Sequence, residues 1–137
     1  MKASELRIGN YVHLQNDAWD EYKNIPMSVT GVEITGPDKY FPESDSVINL
    51  EIKGSIHTFN QCNEFVIPIP LTEEWLERFG FENNEKTAEH NKFIWFKNHI
   101  GVSGMLGVVK PVECKYVHQL QNLYFALTGE ELKLREE

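Results

Sequence analysis

The sequence predicts an α+β fold, in which a small β-rich N-terminal lobe (residues 1–70) precedes a C-terminal lobe of helix, β-hairpin and helix (residues 71–137). Three observations support this prediction. Short apolar runs separated by turn residues fill the first half of the chain, which is typical of strands. The segment IPIPLTEEW then interrupts any regular strand at Pro68 and Pro70, because proline cannot donate a ladder hydrogen bond. Two patterns of helical period follow.

The N-terminal lobe is predicted to contain four strands, at residues 8–14, 27–35, 47–52 and 65–67. The clearest is VINLEIKG, in which Ile48, Leu50 and Ile52 alternate with residues of the opposite face, as a half-buried strand requires. Turn residues such as Gly36 and Pro37 lie between the runs. Several short strands within about seventy residues favour either a small curled sheet or an SH3-like open barrel.

The C-terminal lobe is predicted to begin with a helix that Thr72 caps and Gly80 ends. Negative charge at Glu73 and Glu74 stabilises the first turn, because it faces the positive end of the helix dipole. The apolar residues of this helix fall on one stripe, which predicts a helix that serves for packing. The stripe comprises Leu71, Trp75, Leu76 and Phe79.

A polar loop is predicted for residues 82–91, and the hairpin follows it. The first strand of the hairpin, KFIWFKN, is apolar on both faces. Burial on both faces is one explanation, and an exposed aromatic row that contacts a partner is the other. The second strand is expected to include Val108 and Val109. The turn region before this second strand is spaced by Gly101, Gly104 and Gly107.

The last helix is predicted from YVHQLQNLYFALTGEEL, and Thr128 with Gly129 supplies its end. At about 100° per residue, one apolar stripe forms a core face. This core face comprises Tyr116, Leu120, Leu123 and Leu127, flanked by Val117 and Tyr124. A second stripe is polar but carries one aromatic ring. It comprises His118, Gln121, Asn122 and Phe125.

The second stripe of the last helix supplies candidate binding residues, because amide, imidazole and phenyl groups point away from the predicted core. Three alternatives explain what they contact. The tail ELKLREE folds back and covers Phe125 with Leu132 and Leu134, or a partner or ligand binds the stripe. In the third alternative, an isologous homodimer covers Phe125 without any foreign partner.

The chain is acidic along its whole length, with 13 Lys plus Arg against 21 Asp plus Glu and a net charge of −8. Residues 1–70 hold 5 basic and 10 acidic side chains, and residues 71–137 hold 8 and 11. This charge repels a phosphate backbone, so it argues against nucleic acid as a partner and suits a basic protein. There is no apolar leader and no run approaching about 20 apolar residues, so we expect a cytoplasmic protein without a membrane partner.

Residue patterns that carry chemistry are sparse. Cys62 and Cys114 lack metal-ligand spacing and are expected to be buried thiols. The histidines form no HExxH pair, and DAWDE lacks the ligand pattern of a calcium loop, so no metal, cofactor or catalytic residue is predicted. Trp19 and His57 complete the candidate binding residues, because an indole can stack on a base and an imidazole can transfer protons.

Three motifs make the sequence similar to a known group of proteins. They are ELRIGNYV, IPLTEEWLERFGF and YVHQLQNLYFALTGEEL, at residues 5–12, 69–81 and 116–132. These motifs resemble small proteins of unassigned function that are encoded in prophages and other mobile elements of anaerobic gut bacteria. The resemblance implies a context and a structural frame, and it carries over no activity. Residues 16–64 and the glycine-spaced stretch before Lys110 depart from the group's pattern, which places specific function in these variable segments.

The sequence therefore favours a non-enzymatic module that binds a host or element-encoded protein. One alternative is binding or hydrolysis of a nucleotide-like small molecule, in which His57 or His118 acts beside a stacking residue such as Trp19 or Trp95. Another alternative is direct binding of nucleic acid by the N-terminal sheet.

Overall fold

The computed structural model describes residues 1–83, 88–90, 93–96, 99–102 and 112–135. The chain divides into two compact units, Met1–Ile69 and Pro70–Glu137. In the described residues, each unit contains one five-stranded antiparallel sheet. The predicted α+β class is confirmed.

The first unit contains strands β1 (Tyr11–Leu14), β2 (Met27–Ile34), β3 (Ser46–Glu51), β4 (Thr58–Cys62) and β5 (Val66–Pro68). Their order across the sheet is β4-β3-β2-β1-β5. A 3-10 segment, Asp17–Tyr22, lies between β1 and β2, and a 3-10 turn, Asn63–Phe65, joins β4 to β5. Four of these strands overlap the predicted ones. The sequence did not predict β4, because TFNQC carries one large apolar residue, Phe59, and alternates weakly.

Apolar alternation turns one face of the first sheet inward. Leu50 on β3 is fully buried, and its direct neighbours across the sheet are Val29 on β2 and Phe59 on β4. Contacts between such cross-strand neighbours stabilise a sheet. The core cluster of this unit comprises Ala3, Leu6, Val12, Leu14, Met27, Val29, Ile48, Leu50, Phe59 and Val66.

One buried amide joins three parts of the first unit. Asn63 is 7% exposed, and its Oδ1 accepts hydrogen bonds from the backbone N–H of Asp45 at 3.0 Å and of Ser46 at 3.2 Å. Its Nδ2 donates to the carbonyl oxygen of Met1 at 2.8 Å. The side chain therefore fastens the start of β3 and the segment before β1 to the turn that precedes β5.

The second unit contains α1 (Glu73–Arg78), β6 (Glu82–Asn83), β7 (Ala88–His90), β8 (Phe93–Phe96), β9 (His99–Val102), β10 (Val112–Glu113) and α2 (Val117–Thr128). Its strands pair in sequence order, each antiparallel to the next. The predicted hairpin is therefore part of a larger meander. The prediction of a polar loop at residues 82–91 is wrong at residues 82–83 and 88–90, which are the paired strands β6 and β7. The rest of the predicted loop lies outside the described residues. Polar residues are compatible with these strands, because an antiparallel sheet can have one face that water solvates.

The second strand of the predicted hairpin also differs from the prediction. The sequence places a turn region at Gly101, whereas β9 begins at His99 and pairs directly with β8, so that Ile94 faces Gly101. Gly101 therefore lies in a strand. On β8, Phe93 is buried, and Ile94 and Trp95 are half-buried. Outside the described residues lie Val108, Val109, Gly104 and Gly107.

Both helices have the ends that the sequence predicts. At the start of α1, Thr72 Oγ1 accepts a hydrogen bond from the Trp75 backbone N–H at 3.3 Å, and the predicted stripe is buried. Gly80 and Gly129 have φ angles of 90° and 75° after the two helices, a left-handed conformation that suits glycine. None of the helices in the described residues is both long and apolar enough to cross a bilayer.

Replacing Asn63 with alanine removes three side-chain hydrogen bonds to backbone groups. We expect the free energy of unfolding to fall by about 2 to 4 kcal/mol, because backbone groups that lose a buried partner are left unsatisfied. Urea denaturation followed by circular dichroism measures this change. The matched control is Asn60→Ala on β4, where the side chain is exposed and the expected change is below about 0.5 kcal/mol. Equal losses in the two variants would contradict the role of Asn63.

The alkylation rates of the two cysteines should measure the accessibility of each unit separately, because Cys62 lies in the first unit and Cys114 in the second. Burial raises the pKa of the Cys114 thiol to about 12, while burial and the charges of Asp38 and Glu64 raise the pKa of Cys62. Because the thiolate is the reactive form, both thiols should be alkylated slowly by iodoacetamide in the native protein. Cys62 is half-buried and Cys114 is 1% exposed, so we expect Cys62 to react first.

Peptide mass spectrometry over a time course measures the two alkylation rates. In concentrated urea both thiols should react at one rate, which serves as the reference. Alkylation of Cys114 as fast as Cys62 without denaturant would show that the second unit opens readily.

Candidate functional site

The buried face of α2 is rotated from the predicted one. Four of its five buried residues, Val117, Leu120, Gln121 and Tyr124, follow the spacing i, i+3, i+4 and i+7 of one helix face, and His118 is buried beside them. Leu127, predicted to lie in the core, is 56% exposed. The predicted core face is wrong because the buried stripe includes the polar Gln121, which a ranking by hydrophobicity places on the solvent-exposed side of the helix.

The structure does not bring the four candidate residues of α2 together on an outward face. His118 is 4% exposed and Gln121 is 2% exposed, so both are buried. The His118 ring stacks on the ring of Tyr116, with centroids 5.9 Å apart and planes 16° apart. Asn122 is half-buried. Of the four, Phe125 is the exposed residue, with 38% of its surface accessible.

The C-terminal tail does not bury Phe125. Leu132 of the tail is 4% exposed, so it contributes to the interior of the second unit. The backbone N–H of Arg135 donates a hydrogen bond to the carbonyl oxygen of Arg78 at 2.6 Å, which fastens the tail to the end of α1. Phe125 keeps 38% of its surface accessible, so the tail does not enclose the ring, and a partial contact of the tail with Phe125 stays a prediction.

The exposed end of α2, defined here as Phe125 and Leu127, flanks the buried Tyr124. At about 100° per residue, Phe125 lies about 100° to one side of Tyr124 and Leu127 about 60° to the other. Tyr124 packs on Phe93 of β8 at a centroid distance of 4.9 Å. The two exposed side chains therefore project on opposite sides of the buried stripe, at the last turn of α2.

Hydrogen bonds fix the backbone at the exposed end of α2. Thr128 Oγ1 donates to the carbonyl oxygen of Tyr124 at 2.7 Å and accepts from the Glu130 N–H at 3.1 Å. The Gly129 N–H donates to the carbonyl oxygen of Phe125 at 2.8 Å. Phe125 therefore projects from an ordered helix end.

A groove of about 800 Å³ lies beside the tail in the second unit. The His90 ring lines it and packs between Phe81 and Tyr124, at centroid distances of 5.3 Å and 6.0 Å. Its other lining residues include charges of both signs, from Glu130 to Arg135. None of the six candidate binding residues lines this groove.

In the first unit, the structure brings Trp19 and His57 into one aromatic cluster. The Tyr22 ring lies between them, 6.2 Å from Trp19 and 6.1 Å from His57. Trp19 and Tyr22 both pack edge to face with Phe59, at centroid distances of 5.4 Å and 4.9 Å. Phe59 is buried, whereas Trp19 is 38% exposed and His57 is exposed. The sequence argument missed Tyr22 and Phe59, although the i, i+3 spacing of Trp19 and Tyr22 was a usable signal.

Asn16 fixes the position of the 3-10 segment that carries Trp19. Its Oδ1 accepts a hydrogen bond from the Ala18 backbone N–H at 3.0 Å, which caps the segment. Its Nδ2 donates to Gln61 Oε1 on β4 at 2.9 Å. The aromatic cluster is therefore fastened to the sheet by an amide pair as well as by Phe59.

The surroundings of Trp19 are acidic. Asp17, Asp20 and Glu21 belong to the same 3-10 segment and are exposed. Within the described part of the chain, no group of three or more His, Cys, Asp or Glu side chains is placed to hold a metal ion. Carboxylates on the segment that carries the indole favour a cationic ligand and repel a phosphate.

Comparison of the chain with protein-family models, curated proteins and solved structures finds no match in any of the three. Function must therefore be inferred from the geometry of this chain. Two surfaces stand out: the exposed end of α2 in the second unit and the aromatic cluster of Trp19 in the first.

Alanine substitution of the adjacent residues Tyr124 and Phe125 should separate the buried face of α2 from its exposed end. Tyr124→Ala opens a cavity beside Phe93 and should lower the free energy of unfolding by about 3 kcal/mol or more. Phe125→Ala should lower it by less than about 1 kcal/mol, because this ring already contacts water. Urea denaturation measures both values. A loss for Phe125→Ala equal to that for Tyr124→Ala would place Phe125 in the core.

Proposed function

We propose that this chain is a non-enzymatic protein-binding module and that the exposed end of α2 contacts its partner. The observation that carries the proposal is the exposure of two large apolar side chains, Phe125 at 38% and Leu127 at 56%, beside the buried Tyr124. Aromatic residues that insert into a partner's pocket contribute much of the affinity of protein interfaces. Catalysis has less support, because the His118 ring is buried and stacks on Tyr116. The segment that carries Trp19, beside His57, is acidic and disfavours a phosphate-bearing substrate.

The ordered end of α2 supports this role energetically. Binding costs free energy when flexible side chains and loops must be immobilised. The hydrogen bonds of Thr128 and Gly129 already fix the backbone around Phe125. A partner therefore has to order mainly the two side chains.

The partner that suits this surface is a basic protein of the host or of the mobile element. The chain carries a net charge of −8, and the exposed residues Glu130 and Glu131 follow Gly129 at the end of α2. Opposite charge on a partner accelerates association and disfavours acidic competitors. The resemblance to prophage proteins supports the same setting. The proposal places the protein in the cytoplasm, where the free thiols Cys62 and Cys114 would remain reduced.

We infer that the first unit has an SH3-like topology. The strand order β4-β3-β2-β1-β5 supports this inference, as does the 3-10 turn Asn63–Phe65 between the last two strands of the unit. Such a fold hosts many unrelated functions, so it does not by itself assign one. The binding role is therefore proposed from the exposed side chains.

Affinity capture with the wild-type protein and a Phe125→Asp variant tests the proposed function. A buried carboxylate in an apolar interface is costly, so the variant should lose a protein that the wild type retains from bacterial lysate. The retained protein is then purified and its affinity measured by calorimetry. We expect Phe125→Asp to weaken binding by at least about tenfold.

The matched control for this experiment is Ile56→Asp, which introduces the same charge at a residue that is 96% exposed in the first unit. This control should bind the partner as the wild type does. Light scattering of the wild type alone shows whether the protein forms a homodimer. Equal affinity of Phe125→Asp and the wild type for the purified partner would refute the proposed surface.

A further inference from the structure

We propose that the Trp19 surface, defined as Trp19, Tyr22 and His57 over Phe59, binds an arginine side chain of a basic peptide segment. This surface lies in the first unit. The inference therefore goes beyond the binding role of α2 and does not depend on it.

An exposed indole is the strongest aromatic site for a cation. Two other aromatic rings already contact a cation that belongs to the chain itself. The Lys39 ammonium lies 5.6 Å from the centre of the Tyr40 ring, and the Arg78 guanidinium lies 4.4 Å from that of Trp75. Trp19 has the carboxylates of Asp17, Asp20 and Glu21 as its neighbours along the chain, which would attract a cation from a partner to this surface.

An aromatic cluster can bind either a nucleotide base or a cation, and the charge around the Trp19 surface favours the cation. Asp17, Asp20 and Glu21 are exposed on the segment that carries Trp19, and Lys23 follows them. A nucleotide phosphate near these carboxylates would be repelled, whereas a guanidinium would be attracted. Arginine suits the site better than lysine, because its planar guanidinium stacks on an indole and pairs with a carboxylate at the same time.

The Trp19 surface is ordered before any ligand arrives. Phe59 supports the rings of Trp19 and Tyr22 from the core side, and Asn16 ties their segment to Gln61 of β4. Little ordering of the protein is then required on binding, which favours recognition of a single exposed side chain.

Titration with a short arginine peptide, followed by NMR of the tryptophan indole N–H groups, tests this inference. The probe is acetyl-Gly-Arg-Gly-Arg-Gly-amide, and its counterpart carries citrulline, which is neutral and similar in shape. The chain has 3 tryptophans, and the Trp19 signal is assigned by its absence from Trp19→Phe. We expect the arginine peptide to shift this signal and the citrulline peptide to leave it unchanged. The response should weaken as salt rises from about 50 mM to about 500 mM.

Three variants locate the contact. Trp19→Ala should weaken binding of the arginine peptide by at least about fivefold. Asp20→Asn, which leaves the aromatic rings intact, should weaken it by about threefold. Tyr40→Ala removes a more exposed aromatic ring, 78% accessible, and should change nothing. The dispersion of the full amide spectrum shows that each variant is folded.

The proposal is overturned if the arginine peptide produces no shift of the Trp19 signal up to about 5 mM. It is also overturned if the citrulline peptide shifts this signal equally, or if AMP binds more tightly than the peptide. Phe125→Asp should bind the peptide as the wild type does. A negative result with the arginine peptide would therefore not contradict the proposed role of α2. Loss of the proposed α2 contact would likewise not contradict peptide binding at Trp19.

Discussion

The hydrogen bonds of Asn63 are the constraint on which the first unit depends. Buried backbone groups need partners, and this one amide supplies them to Asp45, Ser46 and Met1. The loop that precedes β3 and the segment that precedes β1 are thereby held against the same end of the sheet. A second amide, that of Asn16, fixes the segment that carries Trp19. Side-chain amides thus position the parts of this unit that are not strands, and the aromatic surface is presented on a rigid support.

In the second unit, the buried residues of α2 end at Tyr124, and residues 125–128 are exposed. Tyr124 is the last residue of the buried stripe and packs on Phe93 of β8. A unit of roughly 70 residues buries only about 60% of the surface of its unfolded chain, so some apolar surface must stay outside. A single exposed apolar residue is therefore ordinary. Phe125 and Leu127 differ because two large apolar side chains are exposed within one turn of the helix, one on each side of the buried Tyr124.

The sequence predicted those elements whose local signals agree with their tertiary role. Ile48 and Leu50 alternate as the structure requires, and Thr72 with Gly80 marks the ends of α1. The strand β4 escaped prediction because its pairing with β3, rather than its own composition, makes TFNQC a strand. Gln121 was assigned to the wrong side because burial of a polar residue depends on tertiary contacts that a helical wheel lacks. The proximity of Trp19 and His57 is likewise set by the fold, since 37 residues separate them in the sequence.

The two proposed surfaces share one chemistry, because each combines an exposed aromatic ring with neighbouring carboxylates. Trp19 is followed by Asp20 and Glu21, and the helix end that carries Phe125 is followed by Glu130 and Glu131. Each contact alone is weak, since exposed charges are screened within about 10 Å at ordinary salt. The same combination of an aromatic ring and nearby carboxylates therefore selects for basic side chains at each surface separately.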